Sequence, residues 1–271
     1  MVYLAVYLAV ITLKYFNVSD EDTFTLSSSS KGNQVKWFKD NYFIKQDTMG
    51  YESIAEVIAY IFAKCTNIKS IHYNFCVINN EICGCYSKNL LKNGESLITL
   101  NRIINTGDRS IFNHYGTYKF VEEVINLCSK VLGIDRYKLE LYFSYMCKFD
   151  AIILNEDRHL NNIAFIKSGN NYKLCPLFDN GLSLLSNEVW YKMGLSVLEL
   201  IGKVKSVTFS SSFDEQCAYF SNCPKIKVDF NKLVTELYTL NAPFKYNEFQ
   251  RAVEVLLIRL KQTEGVYWSA I

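Results

Sequence analysis

NEDRHLNN, at residues 155–162, and PLFDNG, at residues 176–181, are the two segments from which the fold of this chain is predicted. They supply an aspartate, Asp157, an asparagine five positions later, Asn162, and a second aspartate, Asp179. Phosphoryl transfer from Mg-ATP needs a carboxylate that accepts or orients the proton of the attacking hydroxyl, and oxygen ligands that hold magnesium. These three side chains can meet both requirements.

A predicted β-hairpin brings the two stretches together. Residues 163–166 are typical of a short buried strand, residues 169–171 of a turn, and residues 172–178 can return as the partner strand. Asp, Asn and Gly are also the commonest turn residues, so each position taken alone is better explained as a turn. Two such clusters joined by a hairpin favour the functional interpretation.

Residues 153–162 and 172–181 resemble the catalytic and metal-binding loops of the HipA-like serine/threonine kinases, in particular the smaller CtkA-like branch. The Asp-Arg-His-x-x-Asn pattern is also similar to that of phosphoinositide lipid kinases. The resemblance implies an α+β, two-lobed protein-kinase-like fold that uses ATP and Mg²⁺. It implies Asp157 as the catalytic base, and Asn162 and Asp179 as magnesium ligands that contact the nucleotide.

Three neighbours of these residues have expected roles of their own. His159 is the second candidate catalytic residue: the lipid-kinase pattern implies a share in proton transfer or charge stabilisation, and we favour a supporting role beside the aspartate. Arg158 is expected to organise the carboxylates of the loop. Asn180 stands where ordinary protein kinases have the Phe of Asp-Phe-Gly, which argues against a Phe-based activation switch.

The resemblance extends upstream to a strand and a helix that would serve ATP. Residues 42–45 look like the strand that carries the ATP-contacting lysine, Lys45, and the next helix would carry its glutamate partner, Glu56. Apolar residues follow helical spacing over residues 54–65. A carboxylate buried on such a helix needs a cationic partner, so we expect it to pair with Lys45. Glu52, one turn earlier, is the alternative.

The expected phosphate-binding loop is poor in glycine. Residues 25–37 lie where the family has a glycine-rich hairpin, but they contain one glycine, Gly32. Without the downstream context, a plain surface loop would be the better interpretation. Residues 27–30 are four serines, and we predict an autophosphorylation site among them, because phosphate charge there would repel the nucleotide.

The boundary between the lobes is predicted at a strand that runs into a polar connector. Residues 82–90 resemble the family's hinge, where backbone groups would meet adenine. Strand-like patterns dominate the chain before this point and helical patterns follow it, so we expect an N-lobe at residues 1–86 and a C-lobe at residues 87–271. The expected adenine contacts are Tyr86, Ser87 and Lys88.

Apolar spacing predicts four helices in the second lobe. The first, over residues 120–132, ends at Gly133, and the second, over residues 135–149, leads into the catalytic loop. The others cover residues 230–240 and 249–260. The inward stripe of the last helix is assigned to five residues: Phe249, Val253, Leu256, Leu257 and Leu260.

Composition limits the classes of partner. The 271 residues are 49% hydrophobic and 15% aromatic, enough for a large core. The net charge is +2 and no long basic run contains interleaved aromatic residues, so nucleic acid is not an evident partner. Lys36 and Lys39, around Trp37 and Phe38, are interpreted as part of an amphipathic hairpin.

Cysteine usage and the N-terminus bear on location. Nine cysteines, an odd number without framework spacing, indicate free thiols and a cytoplasmic location. Cys83 and Cys85 lack a second ligand pair nearby, so buried strand cysteines are favoured over a zinc site. The apolar residues 2–13 are too short to span a bilayer and lack the features of a secretory signal, so no membrane association is expected. They could pack on the core or precede the domain.

The function expected from these features is that of a serine/threonine protein kinase, whose substrate is a protein hydroxyl. A lipid or small-molecule kinase would use the same catalytic residues, and a nucleotide-binding pseudokinase would suit the glycine-poor loop and the missing Phe after Asp179. HipA-like kinases usually work beside a DNA-binding antitoxin, so the resemblance also implies an antitoxin-like partner.

Overall fold

The structure is a computed structural model that describes residues 13–24, 34–240 and 242–271. Its strands are β1 (Lys14–Phe16), β2 (Lys36–Lys39), β3 (Tyr42–Gln46), β4 (Asn74–Ile78), β5 (Ile82–Lys88), β6 (Glu95–Thr99), β7 (Ala164–Ser168), β8 (Asn171–Leu174), β9 (Ile226–Val228) and β10 (Trp268–Ala270). Its helices are α1 (Glu52–Lys64), α2 (Leu100–Gly107), α3 (Tyr118–Leu132), α4 (Arg136–Ile153), α5 (Val197–Ile201), α6 (Phe213–Ala218), α7 (Phe230–Thr239) and α8 (Tyr246–Thr263). The α+β class predicted from the sequence is confirmed.

Five strands of the first third form one sheet, in the order β1-β4-β5-β3-β2. The turn between β2 and β3 is Asp40-Asn41, with φ angles of 50° and 65°, a conformation that Asp and Asn tolerate better than most residues. This turn fixes the register so that Lys36 lies opposite Lys45. Because cross-strand partners point to the same face of a sheet, both lysines lie on one face.

Helix α1 is enclosed by the sheet on one side and by the end of the chain on the other. Eleven of its thirteen residues are buried, and they include Glu52 and Glu56. The helix contacts β3, β4 and β5, and also α7 and α8. Lys64 at its last turn pairs with Glu236 of α7 at 2.8 Å. The C-terminal helices therefore hold α1, and with it Glu56, against the sheet.

The C-terminus of α3 and the N-terminus of α4 lie where the sequence predicts, but α3 begins two residues before the predicted start at 120 and α4 extends four residues beyond the predicted end at 149. Gly133 ends α3 with a φ of 64°, and the Asp135 side chain caps α4 by accepting a hydrogen bond from the backbone N–H of Lys138. Helix α4 is buried over most of its second half and ends at Leu154, which adopts a left-handed φ of 55°. The chain then turns directly into residues 155–162.

The predicted hairpin is present, with a shorter second strand. Strand β7 pairs with β6 on one side and with β8 on the other. After Leu174 the chain leaves β7 and crosses to the linker between α1 and β4: the backbone of Leu177 exchanges hydrogen bonds with Lys69 and Ile71 at 2.9 and 2.8 Å. This crossing places Asp179 on the inner face of the sheet, the face that carries Lys36 and Lys45.

The inward stripe predicted for α8 is partly wrong. Phe249, Leu256 and Leu260 are buried, but Val253 is only half-buried and Leu257 is exposed. Ala252 and Val255 are buried in their place. The reason is that α8 packs against α1, α4 and α5 together, so its buried face is wider than, and rotated from, the single stripe expected of a surface helix.

Two predictions fall on residues outside the described ranges: the apolar N-terminal stretch, apart from Leu13, and the serine cluster at residues 27–30 with Gly32. All nine cysteines lie inside those ranges, and each is a free thiol. Within residues 13–24, 34–240 and 242–271, no helix has both the length and the apolar composition needed to cross a bilayer.

Candidate active site

Lys45, Glu56 and Asp179 meet on the inner face of the sheet. The Nζ atom of Lys45 lies 2.5 Å from Oε1 of Glu56 and 2.7 Å from Oδ1 of Asp179. The lysine is 6% exposed and Glu56 is fully buried. The ring of Tyr73 covers the ammonium group, 4.9 Å from its centroid. The ammonium group of Lys45 on β3 thus joins α1, through Glu56, to the predicted metal-binding loop, through Asp179.

The charges of this cluster support one another. Burial by itself lowers the pKa of Lys45, but the carboxylates of Asp179 and Glu56 outweigh burial and hold that pKa well above its ordinary value. Burial likewise raises the pKa of Asp179, but Lys45 and Lys36 hold it well below the usual range. Lys36 contributes because its Nζ atom lies 3.2 Å from Oδ2 of Asp179. At neutral pH Lys45 is therefore protonated and Asp179 is ionised.

Glu52, the alternative partner for Lys45, has another role. Its carboxylate accepts hydrogen bonds from the backbone N–H groups of Thr48, Met49 and Gly50, at 2.7 to 3.3 Å. It thereby closes the loop between β3 and α1. A side chain at Gly50 would place Cβ only 2.1 Å from the carbonyl oxygen of Ser186, so this close approach requires glycine.

Arg158 connects the catalytic loop to its surroundings. It is 1% exposed, and its Nε atom lies 3.0 Å from Oδ2 of Asp150 on α4. Its Nη1 atom donates to the carbonyl oxygens of Asn162 and Phe178 at 3.2 and 2.5 Å. Its Nη2 atom donates to Oδ1 of Asn180 at 2.5 Å. These contacts are those of a residue that organises the loop, as the sequence predicts.

Asn180 links the two clusters. Its side chain is held by Arg158, and its backbone N–H donates to Oε2 of Glu56 at 2.9 Å. The residue is fully buried, and the preceding Asp179 adopts a left-handed φ of 58°. A continuous set of hydrogen bonds therefore runs from Lys45 to Asp150, through the position that carries Phe in ordinary protein kinases.

Asp157 and His159 lie at the open side of the loop. Burial raises the pKa of Asp157, and the negative charge of Asp179 raises it further against the opposing effect of His159. Nε2 of His159 is 3.9 Å from Oδ2 of Asp157, too far for a hydrogen bond. Both ring nitrogens of His159 are shielded from solvent and have no hydrogen-bond partner among the described residues. The imidazole ring of His159 is thus adjacent to the carboxylate of Asp157 but is not hydrogen-bonded to it.

The predicted magnesium ligands fit a hard cation. Asn162 donates its Nδ2 hydrogen to the carbonyl oxygen of Asp157 at 2.8 Å, and its amide oxygen accepts no hydrogen bond from the described residues. Asp179 offers two carboxylate oxygens, and both now face lysines. Within the described ranges, no three His, Cys, Asp or Glu side chains cluster to bind a metal. An ion held by Asn162 and Asp179 would therefore take its other ligands from nucleotide phosphates and water, as Mg²⁺ commonly does.

The three hinge residues point in alternate directions. Ser87 lies two residues from Cys85, the cross-strand partner of Lys45, so its side chain is on the inner face and is buried. Tyr86 points to the outer face, where its ring packs 5.4 Å from that of Tyr42. Lys88 is on the same outer face. For Tyr86 and Lys88, only the backbone could meet adenine, and that contact remains a prediction.

Sequence reasoning missed two charged residues of the site, Lys36 and Asp150. The signal for Lys36 was the Asp-Asn turn at residues 40–41, which fixes the register that sets it opposite Lys45. The signal for Asp150 was a carboxylate inside the apolar sequence FDAII at residues 149–153, where a buried cationic partner is required. Nothing in the sequence identified Arg158 as that partner.

No protein-family model and no curated protein sequence matches the chain. Among solved structures, it is similar to the proinflammatory kinase CtkA of Helicobacter pylori, with a TM-score of 0.66, 17% identity, and coverage of 92% of this chain and 94% of that chain. It is also similar to a chain of the HipA, HipB and operator DNA complex of Shewanella oneidensis MR-1 (TM-score 0.54, 11% identity), over 89% of this chain and 62% of that chain. Identities this low show the fold alone. They confirm the two-lobed, HipA- and CtkA-like fold that the sequence predicts.

Proposed function

We propose that this protein is an ATP-dependent serine/threonine protein kinase that transfers the γ-phosphate of ATP to a protein hydroxyl. The observation that carries the proposal is the position of the Lys45 ammonium group, 2.5 Å from Glu56 and 2.7 Å from Asp179. Phosphoryl transfer on a kinase fold depends on a lysine fixed by a glutamate and on an aspartate that binds metal. Lys45 and Glu56 supply the first, and Asp179 is proposed to supply the second. These three residues come from three separate chain segments.

Each residue then has a role that follows from its surroundings. Lys45, fixed by Glu56, binds the phosphates of ATP. Asn162 and Asp179 would hold Mg²⁺, which neutralises charge on the phosphates when bound. Asp157 accepts or orients the proton of the acceptor hydroxyl, and its raised pKa suits a base that must take up a proton. His159 lies beside Asp157, with Nε2 3.9 Å from Oδ2, and supports it by position rather than through a hydrogen bond.

Two details favour a kinase that is held in one state. Glu56 lies on a helix that α7 and α8 enclose, so its pairing with Lys45 needs no outside partner to form. Asn180 is fixed by Arg158 and Glu56. We therefore propose that activity is not controlled by movement of this helix, and that control lies elsewhere. Autophosphorylation among Ser27–Ser30, and an antitoxin-like partner, remain proposals of the same kind.

The test is the transfer of labelled γ-phosphate from ATP to protein, lipid, small alcohols or water. We expect transfer to protein by the wild type, and loss of it in Asp157→Ala with nucleotide binding retained. Asp20→Ala, which removes an exposed carboxylate, is the matched control and should keep full activity. Transfer to lipid or to a small alcohol would replace the protein substrate in this proposal. Binding of ATP without transfer to any acceptor would indicate a pseudokinase.

A further inference from the structure

A cavity of about 450 Å³ opens beside Asp157. Its lining includes Glu156 and Asp157 from the catalytic loop, and Trp190, Leu200 and Lys203 from the segment that follows the metal-binding loop. The volume is within the range of sites that hold small ligands or single side chains, roughly 300–1,000 Å³. Because Asp157 is the proposed base, whatever occupies this cavity lies next to the accepting hydroxyl.

An exposed apolar surface borders the cavity. We define the apolar shelf as the five large apolar side chains of residues 189–198 that are exposed: Val189, Trp190, Met193, Leu195 and Leu198. Trp190 alone is 74% exposed, although indole rings are usually buried. Exposed large apolar side chains gathered in one segment mark binding sites for other molecules, and Trp is enriched at protein interfaces.

The charges of the cavity select among possible ligands. The carboxylate of Glu156 is engaged, because the hydroxyl of Tyr191 donates to its Oε2 atom at 2.5 Å. Lys203 is exposed and forms no ion pair with any residue that the structure describes. It is the cationic residue of the lining. A ligand with a carboxylate near Lys203 would complete the charge pairing.

We infer that the cavity and the apolar shelf bind the acceptor segment of a protein substrate, an inference that rests on the proposed function. The serine or threonine hydroxyl lies at Asp157, a large apolar neighbour enters the cavity against Trp190 and Leu200, and an acidic side chain reaches Lys203. The hydroxyl oxygen forms a bond to the γ-phosphorus as the bond to the β-phosphate oxygen breaks. ADP leaves, and the hydroxyl proton passes to the Asp157 carboxylate.

A small cationic alcohol fits the same site less well. The rings of Trp190 and Tyr191 could receive a quaternary ammonium group through cation–π contacts. Lys203 would repel such a cation and Asp157 would attract it, so charge alone does not decide between the two ligands. A ligand small enough for the cavity would, however, leave the shelf exposed. A polypeptide covers the shelf and neutralises the lysine. The structure therefore favours a peptide segment that is apolar beside the hydroxyl and acidic nearby.

The first test compares peptides and two exposed aromatic residues. Wild-type protein and ATP are offered a library of serine peptides with randomised flanking positions, and we expect enrichment of large apolar residues beside the serine and of Asp or Glu nearby. Trp190→Ala should raise KM for the preferred peptide about tenfold, the effect of losing one aromatic anchor, with KM for ATP unchanged. Tyr238→Ala, which removes an exposed ring of α7, should change neither constant.

The second test reverses one charge. Lys203→Glu should shift the preference from acidic to basic peptides, whereas Lys205→Glu, an exposed lysine two positions later that does not line the cavity, should leave it unchanged. Efficient transfer to peptides irrespective of their flanking residues, or equal effects of the paired variants, would overturn the inference and leave the proposed kinase function intact. Transfer to amino alcohols in preference to peptides would overturn it as well. If no acceptor is phosphorylated, the proposed function itself fails.

Discussion

Two buried ion clusters lie side by side in this protein and differ in whether they are closed. The arginine cluster joins Arg158 to Asp150, and the protein accepts hydrogen bonds from every nitrogen of the guanidinium group. The lysine cluster joins Lys45 and Lys36 to Asp179, whose side chain is 17% exposed. The arginine cluster has no free donor on its guanidinium group for a ligand. The lysine cluster has a carboxylate, that of Asp179, which solvent can reach.

The same ion-pair chemistry therefore serves two purposes in this protein. A buried ion pair offsets its desolvation cost only when its remaining hydrogen-bonding groups are satisfied, as those of Arg158 and Asp150 are. Asp179 is instead shared between two cations, so it can exchange one of them for a metal while keeping Lys45. The arginine cluster, which is fully hydrogen-bonded within the protein, is thus part of the scaffold. The lysine cluster, which is partly exposed, is the place where nucleotide and metal would bind.

The largest effect is expected in the open cluster. Asp179→Ala removes the carboxylate that would hold metal, so γ-phosphate transfer should fall on the order of 10⁴-fold. The fold should persist, because Lys45 keeps Glu56 as its partner at 2.5 Å. Transfer assays with circular dichroism as a check of folding make this measurement. Activity within tenfold of wild type would remove Asp179 from the mechanism.

In the closed cluster, the expected effect is on stability. Arg158→Met leaves Asp150 as an uncompensated buried charge, which should lower the free energy of unfolding by about 3–5 kcal/mol. Arg136→Met is the matched control: this arginine also pairs with two carboxylates, those of Glu122 and Glu140, but at the surface, so the loss should stay below about 1 kcal/mol. Urea unfolding measures the loss of unfolding free energy in both variants. Similar losses would show that burial and full hydrogen bonding of the arginine do not determine its contribution to stability.

The two clusters also differ in how far the sequence could predict them. Glu56 could be paired with Lys45 because an acidic residue on an apolar helix needs a cation, and few cations lie near it in the chain. The C-terminus of α3 and the N-terminus of α4 could be placed because Gly133 and Asp135 are capping residues, whose effect depends only on their immediate neighbours. Predictions that rest on a local chemical requirement are the ones that the structure bears out.

The missed features depend on packing between distant segments. Arg158 finds Asp150 only after α4 ends and the chain reverses at Leu154. The buried face of α8 depends on three helices that pack against it at once, so a periodic pattern alone selects Leu257 where Val255 is buried. The Asp40-Asn41 turn sets the register of Lys36 locally, but Asp179, the partner of Lys36, is 143 residues away in the chain. The role of Lys36 therefore became visible only when the fold placed Asp179 beside it.

Lys36 offers a finer test of the open cluster. If Asp179 binds metal as proposed, Lys36, which now pairs with Asp179, would be free to bind phosphate and would compensate for the single glycine in the preceding loop. Lys36→Ala should weaken ATP binding about tenfold, as expected for the loss of one charge-assisted contact of about 1.5 kcal/mol. Calorimetric titration of ATP and ADP into the Asp157→Ala protein makes the measurement without turnover.

Lys39 is the matched control for this test. It lies in the same strand and pairs with Asp22 at 3.2 Å, but it points to the opposite face of the sheet. Lys39→Ala should therefore leave nucleotide affinity unchanged. If both variants weaken ATP binding equally, the effect is one of general charge, and the specific role of Lys36 is wrong.

The smallest effect is a displacement in pH dependence that separates the two aspartates. Burial raises the pKa of Asp157 above the ordinary value of about 3.9, while Lys45 and Lys36 overcome burial to hold the pKa of Asp179 well below it. A base must be ionised to act, so kcat/KM should fall as pH decreases through the raised pKa of Asp157, while Asp179 is still ionised.

The same pKa shifts give opposite signs for stability. Asp179 binds its proton less tightly in the folded state, so its contribution to stability is present above the ordinary pKa and lost as pH falls through the depressed one. Asp157 binds its proton more tightly when folded, so its ionisation destabilises the protein as pH rises through the raised pKa. Asp157→Asn should therefore abolish transfer and slightly increase the free energy of unfolding at pH 7, whereas Asp179→Asn should abolish transfer and decrease it. Urea unfolding at pH 7, beside a pH–rate profile of the wild type, measures both, and a shift of the same sign in the two variants would contradict the assignment of Asp157 as the desolvated base.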